Sequence, residues 1–291
     1  MNYIQGQYFF KEVFKSIYLI GCTFNEEVVN KELCEKSWIK MSNKYEFGEP
    51  TGNSWLIKGK EKAILIDSAA PVRGLRKFAE NLAGVPVIFV LSHGHYDHTF
   101  CLEEFDEFWM HRDDIPFLEG NMGFPKYCHI PQIIHFLREG DIFDLGDRIV
   151  SVVHIKGHSN GSLLLIDQKT KVLFSGDSIA RRILLFDINE QKISDYVNKL
   201  FEVKKMDFSY ICTSHDRIPL KKTYIDYLIN NIIKIKDVKV TRSLFDGRFG
   251  EFYSIKIGDE KKEEFLNCSI VAEYKDILVE TVEKIYRERK E

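Results

Sequence analysis

Val87-Ile88-Phe89-Val90-Leu91-Ser92-His93-Gly94-His95-Tyr96-Asp97-His98 is the stretch from which the rest of the chain can be read. Its first half is an almost unbroken apolar run behind Pro86, the pattern of a short strand buried on both faces. Its second half packs His93, His95, Asp97 and His98, all metal-binding types, into consecutive alternate and adjacent positions. On an extended loop His93 and His95 point to the same side, while Asp97 and His98 follow a turn and can serve a second point nearby. One metal is too few for such a set.

Three later apolar runs end the same way. Ile149 to Ile155 runs into Gly157-His158, Val172-Leu173-Phe174 into Ser175-Gly176-Asp177, and Tyr210 to Thr213 into Ser214-His215. Ligands at the ends of buried strands converge on one rim of a sheet, where open α/β architectures place their sites.

H-x-H-x-D-H followed by G-H, G-D and S-H elements, all after a hairpin that ends in Ile66-Asp67, resembles the metallo-β-lactamase superfamily of dinuclear metallohydrolases, over about Asn53 to Asp216. The resemblance implies an α/β fold, a four-layered αββα sandwich. It also implies that His93, His95 and His158 hold one divalent ion, that Asp97, His98 and His215 hold the other, and that Asp177 bridges them. Nitrogen and oxygen donors without a thiolate suit zinc first, with iron or manganese possible. Two such ions lower the pKa of a shared water toward neutrality and polarise a substrate oxygen, which is hydrolytic chemistry. Asp97 would bind one ion only, so it could also handle the proton of the attacking water or of the leaving group, a catalytic role.

The donors are spread over more than a hundred positions of a 291-residue chain, so the central part is one folding unit. We expect a single domain over 1–291, with its core at about 53–216 and a C-terminal extension over 221–291. A net charge of -3, with both signs scattered, offers no basic face for nucleic acid and no anchor for a membrane; a small-molecule substrate is the expected partner. Leu19-Ile20-Gly21-Cys22 has the look of a lipoprotein cleavage box, but Lys11, Glu12, Lys15 and Ser16 interrupt any apolar core before it, so the segment reads as structure. Six cysteines without a C-x-x-C pair read as free thiols, and the cytoplasm is the expected location.

Trp38 to Met41, Ser54 to Ile57 and Ala63 to Ile66 read as strands, and Leu75, Phe78, Ala79 and Leu82 as a helix closed by Gly84. Asp67, at the end of the third strand, is a candidate partner for a histidine of the metal loop. Bulky Phe100 follows the loop where familiar members carry small residues, and is expected to narrow the pocket. The stretch 112–139 is rich in aromatics and turn residues, Phe124 and Tyr127 among them, and reads as a lid or substrate wall. Further on, 193–203 and 225–232 read as helices and 208–213 as a core strand; beyond them a hairpin about Asp246-Gly247, a strand near 266–271 and a charged terminal helix carry no motif. Esters, lactones and thioesters are the first expected substrates; phosphoesters, or iron-dependent redox chemistry on the same fold, are the alternatives.

Overall fold

A computed structural model of the chain describes residues 6–24, 52–68, 72–120, 129–185, 193–216, 218–232, 240–242 and 251–271. The strands are β1 (Gly6–Phe14), β2 (Ile17–Phe24), β3 (Ser54–Lys58), β4 (Ala63–Ile66), β5 (Val87–Val90), β6 (Glu107–Met110), β7 (Ile133–Phe136), β8 (Ile142–Asp144), β9 (Ile149–His154), β10 (Leu163–Asp167), β11 (Val172–Gly176), β12 (Arg182–Leu185), β13 (Tyr210–Thr213), β14 (Leu220–Lys221), β15 (Val240–Arg242), β16 (Glu251–Gly258) and β17 (Phe265–Val271). The helices are α1 (Leu75–Ala83), α2 (Ile115–Leu118), α3 (Ile193–Lys205) and α4 (Tyr224–Ile232).

One sheet runs β1-β2-β3-β4-β5-β6-β7 and a second β14-β13-β11-β10-β9-β8. Period-two alternation explains how they stack. Trp55, Ile57, Ile64 and Ile66 of the first sheet meet Val150, Val152, Leu163, Leu165 and Phe174 of the second in one apolar layer. The intervening residues Leu56, Ala63 and Leu65 face the opposite way, where Leu75, Ala79 and Ala83 of α1 cover them. On the far side, Leu164, Ile166 and Leu173 are covered by Val197 and Leu200 of α3 and by Leu228 and Ile232 of α4. The order of layers is therefore α-β-β-α, as the sequence leads one to expect.

Strand direction sets the site. β4 and β5 are parallel, as are β11 and β13, so each pair delivers its C-terminal ends to the same edge. β9 reaches that edge too, being antiparallel to β10, which is antiparallel to β11. The two sheets are tied together there: Leu163 N–H donates to Ser92 O at 2.8 Å, and the Trp55 indole donates to Thr213 O at 2.9 Å.

Residues 17–24 form β2, with Leu19 and Ile20 fully buried, so this stretch is an inner strand of the larger sheet. Cys22, Cys101, Cys212 and Cys268 are buried free thiols. The C-terminal part adds a third sheet, β12-β17-β16-β15, whose Ile255, Leu266 and Cys268 enter the core beneath α3 and α4. Trp38 to Met41, the turn at Asp246-Gly247 and the terminal helix lie outside the described residues. Among those described, no helix is long and apolar enough to cross a membrane.

Candidate metal centre

After β5 the chain stays extended through His95 and then tightens into a 3-10 turn over Tyr96–His98, which turns Asp97 and His98 away from the first two histidines. The residue between the first two must be glycine. A Cβ on Gly94 would stand 2.6 Å from the Asp114 carbonyl oxygen, a backbone atom that cannot step aside.

Two donor groups result. His93, His95 and His158 form one: His93 Nε2 lies 3.0 Å from His95 Nδ1, and His158 Nε2 lies 3.1 Å from the former and 2.9 Å from the latter. Neighbouring nitrogens of a tetrahedral zinc site with bonds of about 2.0–2.1 Å stand about 3.3 Å apart, so this triangle is close to ready. Asp97, His98, Asp177 and His215 form the other group, with donor atoms within 4.8 Å of one another. Within this second group Asp177 Oδ2 lies 3.2 Å from His215 Nε2 and 3.6 Å from His98 Nε2, and it faces the first group at 3.7 Å from His158 Nε2.

The hydrogen bonds behind these rings decide which nitrogens can donate to a cation. Asp67 Oδ2 accepts from the Ser92 hydroxyl at 2.7 Å, from His98 Nδ1 at 2.9 Å and from the Ser214 hydroxyl at 3.2 Å, while its Oδ1 accepts from Ser92 N–H at 2.7 Å. Because the single Ser92 proton is used on Asp67, Ser92 Oγ must accept from His93 Nδ1, 3.0 Å away. His158 Nδ1 donates to the Leu184 carbonyl at 2.7 Å. In the neutral rings, His93, His98 and His158 are thereby left with a lone pair on Nε2, each aimed inward. His98 Nε2 and Asp177 Oδ1 are buried without any hydrogen-bond partner. Converging lone pairs and an orphaned carboxylate oxygen are costly unless a cation sits among them, so these residues fit divalent metal ions.

The electrostatics divide the same way. Burial, reinforced by neighbouring imidazoles, holds His93 and His95 well below the usual histidine range, and burial lowers His158. For His98 and His215 burial acts downward too, but the carboxylates win: Asp97, Asp67 and Asp177 raise His98, and Asp177 and Asp97 raise His215 to about 10. Burial works against Asp97, yet His98 and His215 bring it down to about 2. Without metal, protons on His98 and His215 thus take the place of a cation. A folded-state pKa above the unfolded value of about 6.5 adds stability that is complete below about 6.5 and is lost as pH rises through the folded value. The denaturation midpoint of the chelated protein should therefore fall between about pH 6.5 and about 10, with His215 setting the upper end. A flat profile over that window would exclude protonated His98 and His215.

Phe100 departs from expectation. It is 1% exposed, packs edge-on against Tyr96 at 5.8 Å and belongs to the core under the larger sheet, so it supports the loop from below and does not wall a pocket. Phe124 and Tyr127 lie outside the described residues. The described parts of 112–139 are not a free loop: 112–114 is a 3-10 turn, α2 follows, and β7 closes the edge of the larger sheet. This segment supplies Phe117, one of the aromatics noted in the sequence, and Asp114, which the sequence reading missed. Phe117 sets its ring edge against His95 at 4.7 Å. Asp114, fully buried, accepts from Gly94 N–H at 2.9 Å, Ser159 Oγ at 2.6 Å and Gly161 N–H at 2.6 Å, tying the His93–His98 loop to the His158 loop. Burial outweighs those three donors and pushes its carboxyl up to about 6. Ser92 was legible as the last residue before the histidines; Asp114 had no signal beyond its charge.

The comparisons with known proteins agree with this geometry. The model of the metallo-beta-lactamase superfamily matches residues 48–215. The human protein named acyl-coenzyme A thioesterase MBLAC2 is 30% identical over 189 residues, covering 53% of this chain and 67% of that protein; the Bos taurus protein of the same name is 29% identical over the same shares. Among solved structures, a metallo-beta-lactamase from Pontibacter korlensis superposes with a TM-score of 0.55 at 15% identity, over 76% of this chain and 96% of that one. A beta-lactamase domain protein from Burkholderia ambifaria gives 0.56 at 20% identity, over 78% and 76%. At these identities the solved structures speak for the fold alone.

Proposed function

The chain belongs to the metallo-beta-lactamase superfamily, and from that premise we propose that it is a dinuclear metallohydrolase acting on thioesters. The observation that carries the proposal is Asp177 Oδ2, which stands within 3.7 Å of His158 in one donor group and 3.2 Å of His215 in the other. In this reading His93, His95 and His158 hold one ion, Asp97, His98 and His215 the other, and Asp177 both. The donors are nitrogen and oxygen, which suit zinc and would also accept iron or manganese. When bound, the two ions would lower the pKa of water from about 15.7 toward neutrality and polarise a substrate carbonyl.

The chain's own residues do the rest. Asp67 fixes His98 directly and His93 through Ser92, so three of the donor rings, with His158 held by Leu184, keep their lone pairs inward through turnover. Asp97 is 27% exposed against 12% for Asp177, which makes it the acidic donor open to an incoming substrate. Placed there as a carboxylate, it could accept a proton from the attacking water. A thiolate, with a parent pKa near 8.5, leaves without being protonated, so a thioester asks for one proton transfer where an alkyl ester asks for two.

The thioester class is supported by the printed activity of the human relative. The test is turnover of coenzyme A thioesters of graded acyl length beside a lactone, a phosphodiester and a β-lactam, with protein loaded with zinc or manganese. We expect the thioesters to be hydrolysed at least tenfold faster, as kcat/KM, than any other class. Faster hydrolysis of the phosphodiester would replace this reading with a phosphoesterase.

A further inference from the structure

Three of the third sheet's four strands lie in the part of the sequence without a motif, yet two of its connections end at donor histidines. The first runs through β12. It pairs in parallel with β17, Leu184 opposite Ser269, and it is the Leu184 carbonyl that accepts the proton of His158 Nδ1. The second runs through Arg181, the residue just before β12. Its Nη1 donates to the carbonyls of Glu260 and Lys262, both at 2.8 Å, in the turn between β16 and β17. Its Nε donates to Asp216 Oδ1 at 2.6 Å and its backbone N–H to Oδ2 at 3.3 Å.

Asp216 follows His215 directly, is 2% exposed, and also accepts from the Thr213 hydroxyl at 2.9 Å, while its carbonyl accepts from Asn53 Nδ2 at 2.9 Å. Thr213 Oγ1 in turn accepts from the backbone N–H of Asp216 at 2.8 Å and of His215 at 3.3 Å. The loop carrying His215 is thus fastened at its carboxylate, and the fastener is a guanidinium whose own position is fixed by two carbonyls of the C-terminal sheet. A planar guanidinium can serve a carboxylate and two carbonyls at once; an ammonium cannot cover the same span.

We propose that Arg181 is a positioning residue through which the C-terminal sheet holds His215, so that the sheet is a functional brace of the metal centre. The inference rests on reading the two donor groups as sites for two ions. Arg181 touches neither ion nor substrate; it acts by keeping Asp216, and with it the His215 backbone, in place. The β12 contact to His158 reaches the other group by a separate route and survives loss of the Arg181 side chain. Removing that side chain should therefore weaken one ion and spare the other, whereas general loosening of the fold would weaken both.

The experiment measures zinc affinity by chelator competition on the full chain, for the wild type and for Arg181→Gln, Arg181→Lys and Arg182→Gln, with a melting curve for each. We expect wild-type protein to bind two zinc ions. In Arg181→Gln one ion should lose roughly 10–100-fold in affinity, the usual consequence of removing an outer partner of a metal ligand, while the other changes by less than about threefold. Arg182→Gln breaks a 3.7 Å contact to the Glu260 side chain in the same turn and leaves the Arg181–Asp216 pair intact, and both ions should stay at wild-type affinity. If Arg181→Gln does not fold, Arg181→Lys keeps the charge and should show the same loss, smaller but confined to one ion. Two ions bound at wild-type affinity in the folded variant would overturn the proposal, and so would equal weakening of both. A wild type that binds only one ion would instead overturn the dinuclear reading on which it rests.

Discussion

Asp97→Ala is expected to lower turnover by about 10²–10⁴-fold while leaving the ion of the three-histidine group in place. Asp97 approaches His98 and His215, at 3.7 Å and 3.5 Å, and shares their donor group and not that of His93, His95 and His158. Loss of its carboxylate removes one donor from one group and leaves that group with two imidazoles and Asp177. Asp177→Ala should behave differently, since Asp177 Oδ2 stands between both groups and its loss should empty at least one of them. Metal content and single-turnover rates of the two variants test this division. With a thioester the departing thiolate needs no proton, so in Asp97→Ala protein that keeps both ions the deficit reports on the attacking water. Turnover within threefold of wild type, with both ions present, would remove Asp97 from the chemistry.

The donors were legible because each one ends an apolar run, and a buried strand constrains sequence on both faces. The same logic reached Asp67, which closes β4 and turns out to accept four hydrogen bonds behind the histidines. It misled at Phe100, where adjacency in sequence was taken for adjacency in space: the 3-10 turn over Tyr96–His98 swings the chain inward, and the ring that follows drops into the core. In the aromatic stretch after Arg112, Phe117 and Asp114 face the metal loop, and Ile133–Phe136 pairs with β6, a strand that the turn-rich composition hid. Asp114, Leu184, Arg181 and Asp216 could not be found from spacing, because what joins them to the histidines is a carbonyl, a backbone N–H or a salt bridge between segments distant in the chain. β12 is the extreme case, a four-residue strand in register with residues 267–270.

Stripping both ions is expected to lower the melting temperature by roughly 5–10 °C, with the gap smaller at pH 7 than at pH 9. An ion that binds only the folded state adds RT ln(1 + [L]/Kd), about 2.7 kcal/mol at a hundredfold excess over Kd, and for a chain of this size each kcal/mol shifts the midpoint by about 2 °C. Two ions at that excess give the upper end of the range. The lower end follows from the protons that replace them. In the stripped protein His98 and His215 sit charged beside Asp97 and Asp177, so part of the cationic stabilisation survives near pH 7. The His215 proton leaves as pH approaches about 10, and its ring then faces Asp97 and Asp177 uncharged. In loaded protein the ions already hold His98 and His215 deprotonated, so its midpoint should vary little between pH 7 and 9, and the difference between the two forms should widen as pH rises. Melting curves with and without a strong chelator at pH 7 and 9, with metal loss confirmed in the same samples, measure both quantities. Coincident curves at both values would mean that Asp67, Asp114 and the C-terminal sheet hold the donors in place unaided, and that the ions contribute to chemistry alone.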